Sequence, residues 1–358
     1  MKEKLINICN PKQWKTLSTS ELIENGLYDV YGANGIIGKY NAYNHEESVV
    51  TITCRGATCG NVHITSPKAY VNGNAMCLDN LNENICLKKY LYYYLQNYNM
   101  KKVISGSAQP QITVRGLSKI EIKLYGINTQ KVIINRLEKL EGLIGIRKKQ
   151  IKYLDNLIKS QFVEMFGNIF EYEKLENYSV LITKGASPKW QGVNYQNDGT
   201  LFVTSENVRD GFVDISKPKY LDNKINEILP RSVLKRDDIL INIVGASIGR
   251  AAKYNYDYLA NINQAVALVR TKNINNIFLL TYLNSDEAIR IYDDMKKGGA
   301  RENLSLKNIA DLKIPKAPIE EQNKFAEFVK LVDKQKVKIQ KSLEEMQQLQ
   351  KSLMSNYF

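Results

Sequence analysis

Residues 127–158 read INTQKVIINRLEKLEGLIGIRKKQIKYLDNLI, and their apolar side chains fall on a seven-residue repeat. Ile133, Leu140, Arg147 and Leu154 recur at one seam position, with Leu137, Ile144, Ile151 and Ile158 at the other. That spacing keeps one stripe of a helix turned toward a partner helix. A second stretch near the C-terminus has the same form: Phe325, Val332, Ile339 and Met346 interleave with Val329, Lys336, Leu343 and Gln350. Each stretch predicts a helix of about 38 residues, which spans roughly 55–60 Å. Arg147, Lys336 and Gln350 put polar groups in the seam, which weakens it but helps to fix its register.

The two helices belong to a larger duplication, with an offset of about 190 residues. Gly56-Ala57-Thr58-Cys59-Gly60 returns as Gly245-Ala246-Ser247-Ile248-Gly249, and Gly106-Ser107-Ala108 with Ile112-Thr113-Val114 returns as Gly298-Gly299-Ala300 with Leu304-Ser305-Leu306. Ile127–Gln130 returns as Ile319–Gln322, and Met165-Phe166 falls on Tyr357-Phe358. A repeated unit of one globular part and one long helix can pair its helices about a pseudo-two-fold axis. The plain alternative is a helical hairpin that only props up a globular fold.

The globular parts read as strands separated by turns, with a few helices. In the first, Ser18 or Ser20 caps a short helix at Glu21-Leu22-Ile23, and Ala33-Asn34-Gly35 marks a hairpin between Tyr28–Tyr31 and Ile36-Ile37. Strands follow at Val49–Thr53 and Val62–Thr65, then a helix over Leu87–Gln96 and a last strand at Ile120–Leu124. In the second, Ile182–Ser187 reads as a turn around Gly185, with strands at Leu201–Thr204, Asp237–Val244 and Ala265–Arg270. A helix near Phe278–Asp286 and a strand at Asp311–Pro315 complete it. The expected fold is α+β. Its parts are a first domain (1–126), a central helix (127–170), a second domain (171–318) and a C-terminal helix (319–358), with the helices paired antiparallel as a coiled coil.

The chain has 358 residues, and 50 Lys and Arg against 37 Asp and Glu give a formal charge of +13. Spread along the chain, that excess favours a polyanionic partner, nucleic acid before an anionic membrane. No apolar run approaches the ~20 residues needed to span a bilayer, and Met1-Lys2-Glu3-Lys4 opens no signal peptide, so a cytoplasmic protein is expected. The five cysteines, Cys9, Cys54, Cys59, Cys77 and Cys86, fit reduced buried thiols better than a disulfide framework.

Catalytic signals are missing. Gly35-Ile36-Ile37-Gly38-Lys39-Tyr40 has the wrong spacing for a phosphate loop and a tyrosine where a magnesium-binding hydroxyl belongs. There is no Asn/Asp-Pro-Pro-aromatic sequence to hold a flipped base and no Pro-Asp to open a nuclease motif. His45 and His63 are the only histidines. Cys54, Cys59 and His63 do not have the spacing of a common zinc site and lack a fourth ligand, so no metal is expected.

The repeated glycine turns are better candidates for function. Gly56–Gly60 and Gly245–Gly249 let backbone approach a partner closely, and Arg55 and Arg250 stand beside them. Gln109, Gln111 and Arg115 in one half, and Arg301 and Asn303 in the other, are of the types that bond guanine and adenine edges. Lys39, Lys184, Lys189 and Trp190 add charge and an aromatic, and Ser205 and Asn207 lie in a further polar turn. Against this stands the reading of ordinary turns with solvated side chains; recurrence near the same landmarks in both halves favours contact.

Taken together, these stretches resemble the specificity subunits of type I restriction–modification systems. The likeness rests on Tyr28-Asp-Val-Tyr-Gly-Ala-Asn-Gly-Ile-Ile-Gly38, Ile182-Thr-Lys-Gly-Ala-Ser-Pro188, Phe202-Val-Thr-Ser-Glu-Asn-Val208 with Gly211, and Asp238-Ile-Leu-Ile-Asn242 leading to Gly245. The helix starts at Ile127 and Ile319, and Met165-Phe-Gly-Asn168, match as well. The resemblance implies a non-catalytic reader of double-stranded DNA, each globular part a target-recognition domain for one half of a split, asymmetric target. It implies two modification subunits that carry S-adenosylmethionine and, where a nuclease is present, translocase subunits that use ATP and Mg2+, with no cofactor in this chain. A stand-alone nuclease or methyltransferase, and a coiled-coil adaptor with only non-specific nucleic-acid affinity, are the competing readings.

Overall fold

A computed structural model describes residues 1–33, 35–106, 109–297 and 303–358, without the side chains of Lys296 and Lys297. They form two compact units, Met1–Lys149 with Gln340–Phe358, and Gln150–Ile339.

In the first unit, strands Asn10–Gln13, Ala75–Asp79, Val50–Thr53 and Val62–Ile64 form an antiparallel sheet in that order. Alternate side chains of Ala75–Asp79 go to opposite faces: Met76 and Leu78 enter the main core, Ala75 and Cys77 a smaller one with Tyr31 and Val71. The second sheet orders Gly35–Tyr40, Tyr28–Gly32 and Tyr70–Val71, the last pair parallel. Its hairpin closes through Gly35 at φ +83°; Asn34 lies outside the described residues. The expected short helix is a 3-10 turn, Thr19–Glu21, whose Ser18 N–H donates to Glu21 Oε2 at 2.7 Å. Helix Lys88–Asn97 buries Tyr90, Leu91, Tyr93, Tyr94 and Leu95.

The second unit repeats this topology. Strands Ser179–Lys184, Val266–Thr271, Ile239–Asn242 and Ala251–Lys253 are ordered like the first four, with Gly211–Phe212 added at the edge. Thr200–Val203 pairs in parallel with Ala260–Ile262, as Tyr28–Gly32 does with Tyr70–Val71. Two expectations are corrected here. Ile182–Lys184 is extended and paired with Val269–Ala267, so the turn begins only at Gly185. A Cβ at Gly185 would lie 1.7 Å from the Ile262 carbonyl oxygen, so the chain passes there only as glycine. The helix expected near Phe278–Asp286 is two, Asn276–Leu283 and Asp286–Lys297. Asn284 breaks it by turning its amide to the Ala251 backbone, accepting from N–H at 3.0 Å and donating to C=O at 2.9 Å.

The long helices are Ile127–Phe166, of 40 residues, and Ile319–Tyr357, of 39. In the first unit Arg136 donates to the Tyr357 hydroxyl at 2.8 Å and Gln350 to Glu141 Oε1 at 3.3 Å, so the segments run antiparallel. In the second, Lys336 Nζ meets Asp155 Oδ1 at 2.6 Å while the Phe162 and Phe325 rings lie 5.4 Å apart, again antiparallel. Ile133, Leu137, Leu140, Ile144, Val329, Val332 and Leu343 are buried. Ile151, Leu154, Ile158, Ile339 and Met346 are only half-buried. The helix ends enter the cores: Phe166 packs edge-on against Phe278 at 4.8 Å, and Phe358 against Tyr90 at 5.3 Å.

A buried glutamine ties each long helix to its globular part. Gln130 accepts from Leu87 N–H at 2.9 Å and donates to the Tyr125 carbonyl at 2.8 Å. Gln322 accepts from Asn275 N–H at 2.9 Å and donates to the Ala317 carbonyl at 2.8 Å. Among the described residues, no helix is long and apolar enough to cross a membrane.

Candidate nucleic-acid interface

At one end of each main sheet three loops meet, two of them joined by the same backbone hydrogen bonds in both units. In the first unit Gly60 N–H donates to Thr53 O at 2.8 Å, Cys59 N–H to Gly56 O at 3.0 Å and Ile112 N–H to Cys54 O at 3.0 Å. In the second, Gly249 N–H donates to Asn242 O at 2.9 Å, Ile248 N–H to Gly245 O at 3.2 Å and Leu304 N–H to Ile243 O at 2.9 Å. Backbone bridges join Arg55 to Gln111 and Val244 to Asn303.

A side chain fastens the third loop. Thr58 Oγ1 donates to the Ala33 carbonyl at 2.9 Å, and Thr53 Oγ1 donates to the same oxygen. In the second unit Asn242 Nδ2 donates to the Ser205 carbonyl at 3.0 Å and the Ser247 hydroxyl at 2.9 Å. The four turn glycines all have positive φ, Gly56 at +85°, Gly60 at +98°, Gly245 at +81° and Gly249 at +87°. Among the described residues, nothing lies within 4 Å of a Cβ built on Gly56 or Gly245, whereas one on Gly60 or Gly249 would strike Met100 or Tyr292. The first glycine of each turn is therefore open to a partner and the second is packed.

The predicted contact residues divide accordingly. Arg55, Gln109 and Gln111 lie on the locked loops of the first unit, and Arg115 stands exposed on the adjoining turn Val114–Leu117, which Thr113 caps. Lys39 is not brought to them. It sits four residues, roughly 13 Å of extended chain, beyond Gly35, with Nζ 4.0 Å from Asp29. In the second unit Ser205, Arg250 and Asn303 are on the locked loops, and exposed Lys184 leads directly into them beside Gly185. Lys189 and Trp190 occupy a 3-10 turn, Pro188–Gln191, anchored by buried Pro188; Trp190 is 85% exposed. Arg301 lies outside the described residues.

Two side chains have other engagements. Asn207 accepts from Thr204 N–H and Oγ1 at 2.9 and 3.0 Å and donates to Asp214 O at 2.9 Å, so three of its four capacities hold its own turn. Arg250 Nε lies 3.2 Å from Asp210 Oδ1 at the surface. Sequence reasoning missed Thr53 and Asn242, the loop fasteners, and exposed Lys307, which matches Arg115 once Leu304 is set on Ile112. Carrying the repeat register one turn further would have found Lys307.

A metal set at Cys54, Cys59 and His63 does not form. Cys54 Sγ instead contacts Gln13 Nε2 at 2.9 Å and the Asn74 carbonyl at 3.1 Å.

The family profile of the type I restriction modification DNA specificity domain matches residues 1–156 and 190–350. The chain belongs to that family. It is similar to the EcoBI specificity subunit of Escherichia coli, 25% identical over 335 residues, covering 84% of this chain and 67% of that one. A type I specificity subunit of Mycoplasma pneumoniae is 32% identical over 168 residues, 42% of this chain and 55% of that one, so the match spans about half of that relative's length. The MjaVIII specificity subunit of Methanocaldococcus jannaschii is 22% identical over 353 residues, 91% of this chain and 83% of that one. The fold matches the crystal structure of a type I restriction–modification S subunit from M. genitalium with TM-score 0.63 at 18% identity, covering 100% of this chain and 96% of that one.

Proposed function

We propose that each unit reads one half of a split, asymmetric DNA target and that the paired helices set the spacing between the halves. The observation that carries this reading is the duplicated loop lock, whose backbone hydrogen bonds are the same in both units while its exposed side chains differ. A shared frame with different residues suits two readers of different sequence. The helices, of 40 and 39 residues, are each roughly 60 Å long, between one and two turns of DNA at ~34–36 Å each.

In this reading two modification subunits bring S-adenosylmethionine, translocase–nuclease subunits, where present, bring ATP and Mg2+, and the complex works in the cytoplasm. Arg55, Arg115, Lys184, Lys189 and Arg250 supply charge for phosphates, and Gln109, Gln111 and Asn303 polar groups for base edges. A coiled-coil adaptor would give no reason for two copies of the loop lock.

Exchanging residues 171–318 for the corresponding region of a relative tests it. The recognised sequence changes in one half only. A change in both halves, or in neither, refutes the modular reading.

A further inference from the structure

Away from the recognition loops, the first unit holds a set of donor atoms that DNA reading does not use. His45, Cys77 and Asp79 each offer one ligand atom, and these lie within 4.8 Å of one another. Cys77 and Asp79 are two apart on strand Ala75–Asp79 and so share a face. The His45 and Asp79 side chains are 10% and 11% exposed, and Cys77 is fully buried.

The hydrogen bonds around His45 assign its ring. Asn44 accepts from Val71 N–H at 2.8 Å and donates to the Val71 carbonyl at 3.0 Å, which fixes which end of its amide is oxygen. That oxygen lies 2.7 Å from His45 Nδ1, so Nδ1 carries a proton. In a neutral imidazole, Nε2 is then a lone pair. It faces Asp79 Oδ1 at 3.0 Å, an acceptor facing an acceptor, while Asp79 Oδ2 is already held by Trp14 Nε1–H at 3.0 Å. Either a proton on Nε2, which makes an ion pair, or a bound cation joins Nε2 and Oδ1.

We propose that His45, Cys77 and Asp79 form a three-ligand site for a divalent cation of the zinc class. Nitrogen, sulfur and oxygen donors together suit that ion. Asn44 and Trp14 serve as outer partners that orient the imidazole and the carboxylate. On binding, the Cys77 thiol proton leaves to solvent and the thiolate ligates. His45 and Asp79 line an open cavity of about 510 Å³, from which water supplies the fourth position. The matching positions of the second unit are Leu268 and Arg270, as Lys12 pairs with Cys77 where Thr183 pairs with Leu268. There Arg270 brings its own positive charge to Asp238, with two bonds of 2.8 Å.

Cobalt(II) titration of the full-length chain tests the proposal. The expected result is one equivalent bound, a thiolate-to-cobalt charge-transfer band, and displacement by zinc(II). Cys77→Ser abolishes the band, whereas Cys54→Ser and Cys59→Ser retain it. Trp14→Phe leaves all three ligands in place and weakens binding by ~10–100-fold; it answers the question should Cys77→Ser not fold. Absence of the band in the folded wild-type chain, or its survival in Cys77→Ser, overturns the site. So does a His45 ring protonated on both nitrogens in nitrogen NMR with zinc(II) present, because a proton then fills the gap.

Discussion

Lys336 crosses the helix pair to Asp155, with Nζ 2.6 Å from Oδ1, at a seam position where a heptad repeat calls for an apolar side chain. Asp333 on its own helix also lies 3.6 Å away. Half-exposed as it is, such a pair contributes ~0.2–1 kcal/mol, and salt screens it. Its other effect is on register, since a slipped pairing leaves both charges against apolar neighbours.

Replacing Lys336 with Ala should therefore lower stability by no more than about 1 kcal/mol. Replacing Lys336 and Asp155 together with Leu should be neutral or stabilising, at the cost of a defined register. Urea unfolding measures the first effect, and cross-linking between cysteines introduced along the helices measures the second.

Gln130 and Gln322 should matter more. Gln130→Leu leaves the Leu87 N–H and the Tyr125 carbonyl buried without their partner, a loss of about 2–3 kcal/mol. Denaturant unfolding should register that loss, while the recognised sequence of the assembled complex stays the same.

The two glycines of each turn should respond differently. Gly245→Ala meets no described residue within 4 Å and is strained by φ +81°, about 1 kcal/mol. Gly249→Ala adds a Cβ 2.3 Å from the Tyr292 ring to a similar φ, and should lose at least ~2 kcal/mol. Melting temperatures of the two variants give the comparison. DNA binding should suffer in Gly245→Ala despite its near-normal stability.

Burial pushes the His63 imidazole below its ordinary value of 6.5, and its Nε2 has no hydrogen-bond partner among the described residues. The unfolded chain then binds the proton more readily, so stability is full above pH ~6.5 and falls as the pH drops through the folded-state value. His63→Gln should flatten that part of the stability–pH curve relative to wild type.

Helices announce themselves by period, and the long pair was legible at both ends because Ile127 and Ile319 open the same sequence pattern. The loop lock was only partly legible. Glycine turns are visible as letters, but the fasteners Thr53 and Asn242 look like ordinary strand residues until Ala33 and Ser205 come beside them. Asn207 shows the converse: a base-reading residue type in a polar turn, bound to its own backbone. Lys39 follows a motif look-alike that the hairpin carries away from the loops. His45, Cys77 and Asp79 carry no spacing signal, because 45 comes beside 77 and 79 only in the folded chain.

The central claim is that two different readers on one chain define a split target. Co-expression with the methyltransferase encoded beside it, followed by long-read mapping of methylated adenines across a host genome, tests this most directly. The account predicts one asymmetric, two-part motif with a fixed spacer, modified on both strands. An assembled complex supplied with S-adenosylmethionine that marks no motif, or a continuous one, would contradict it.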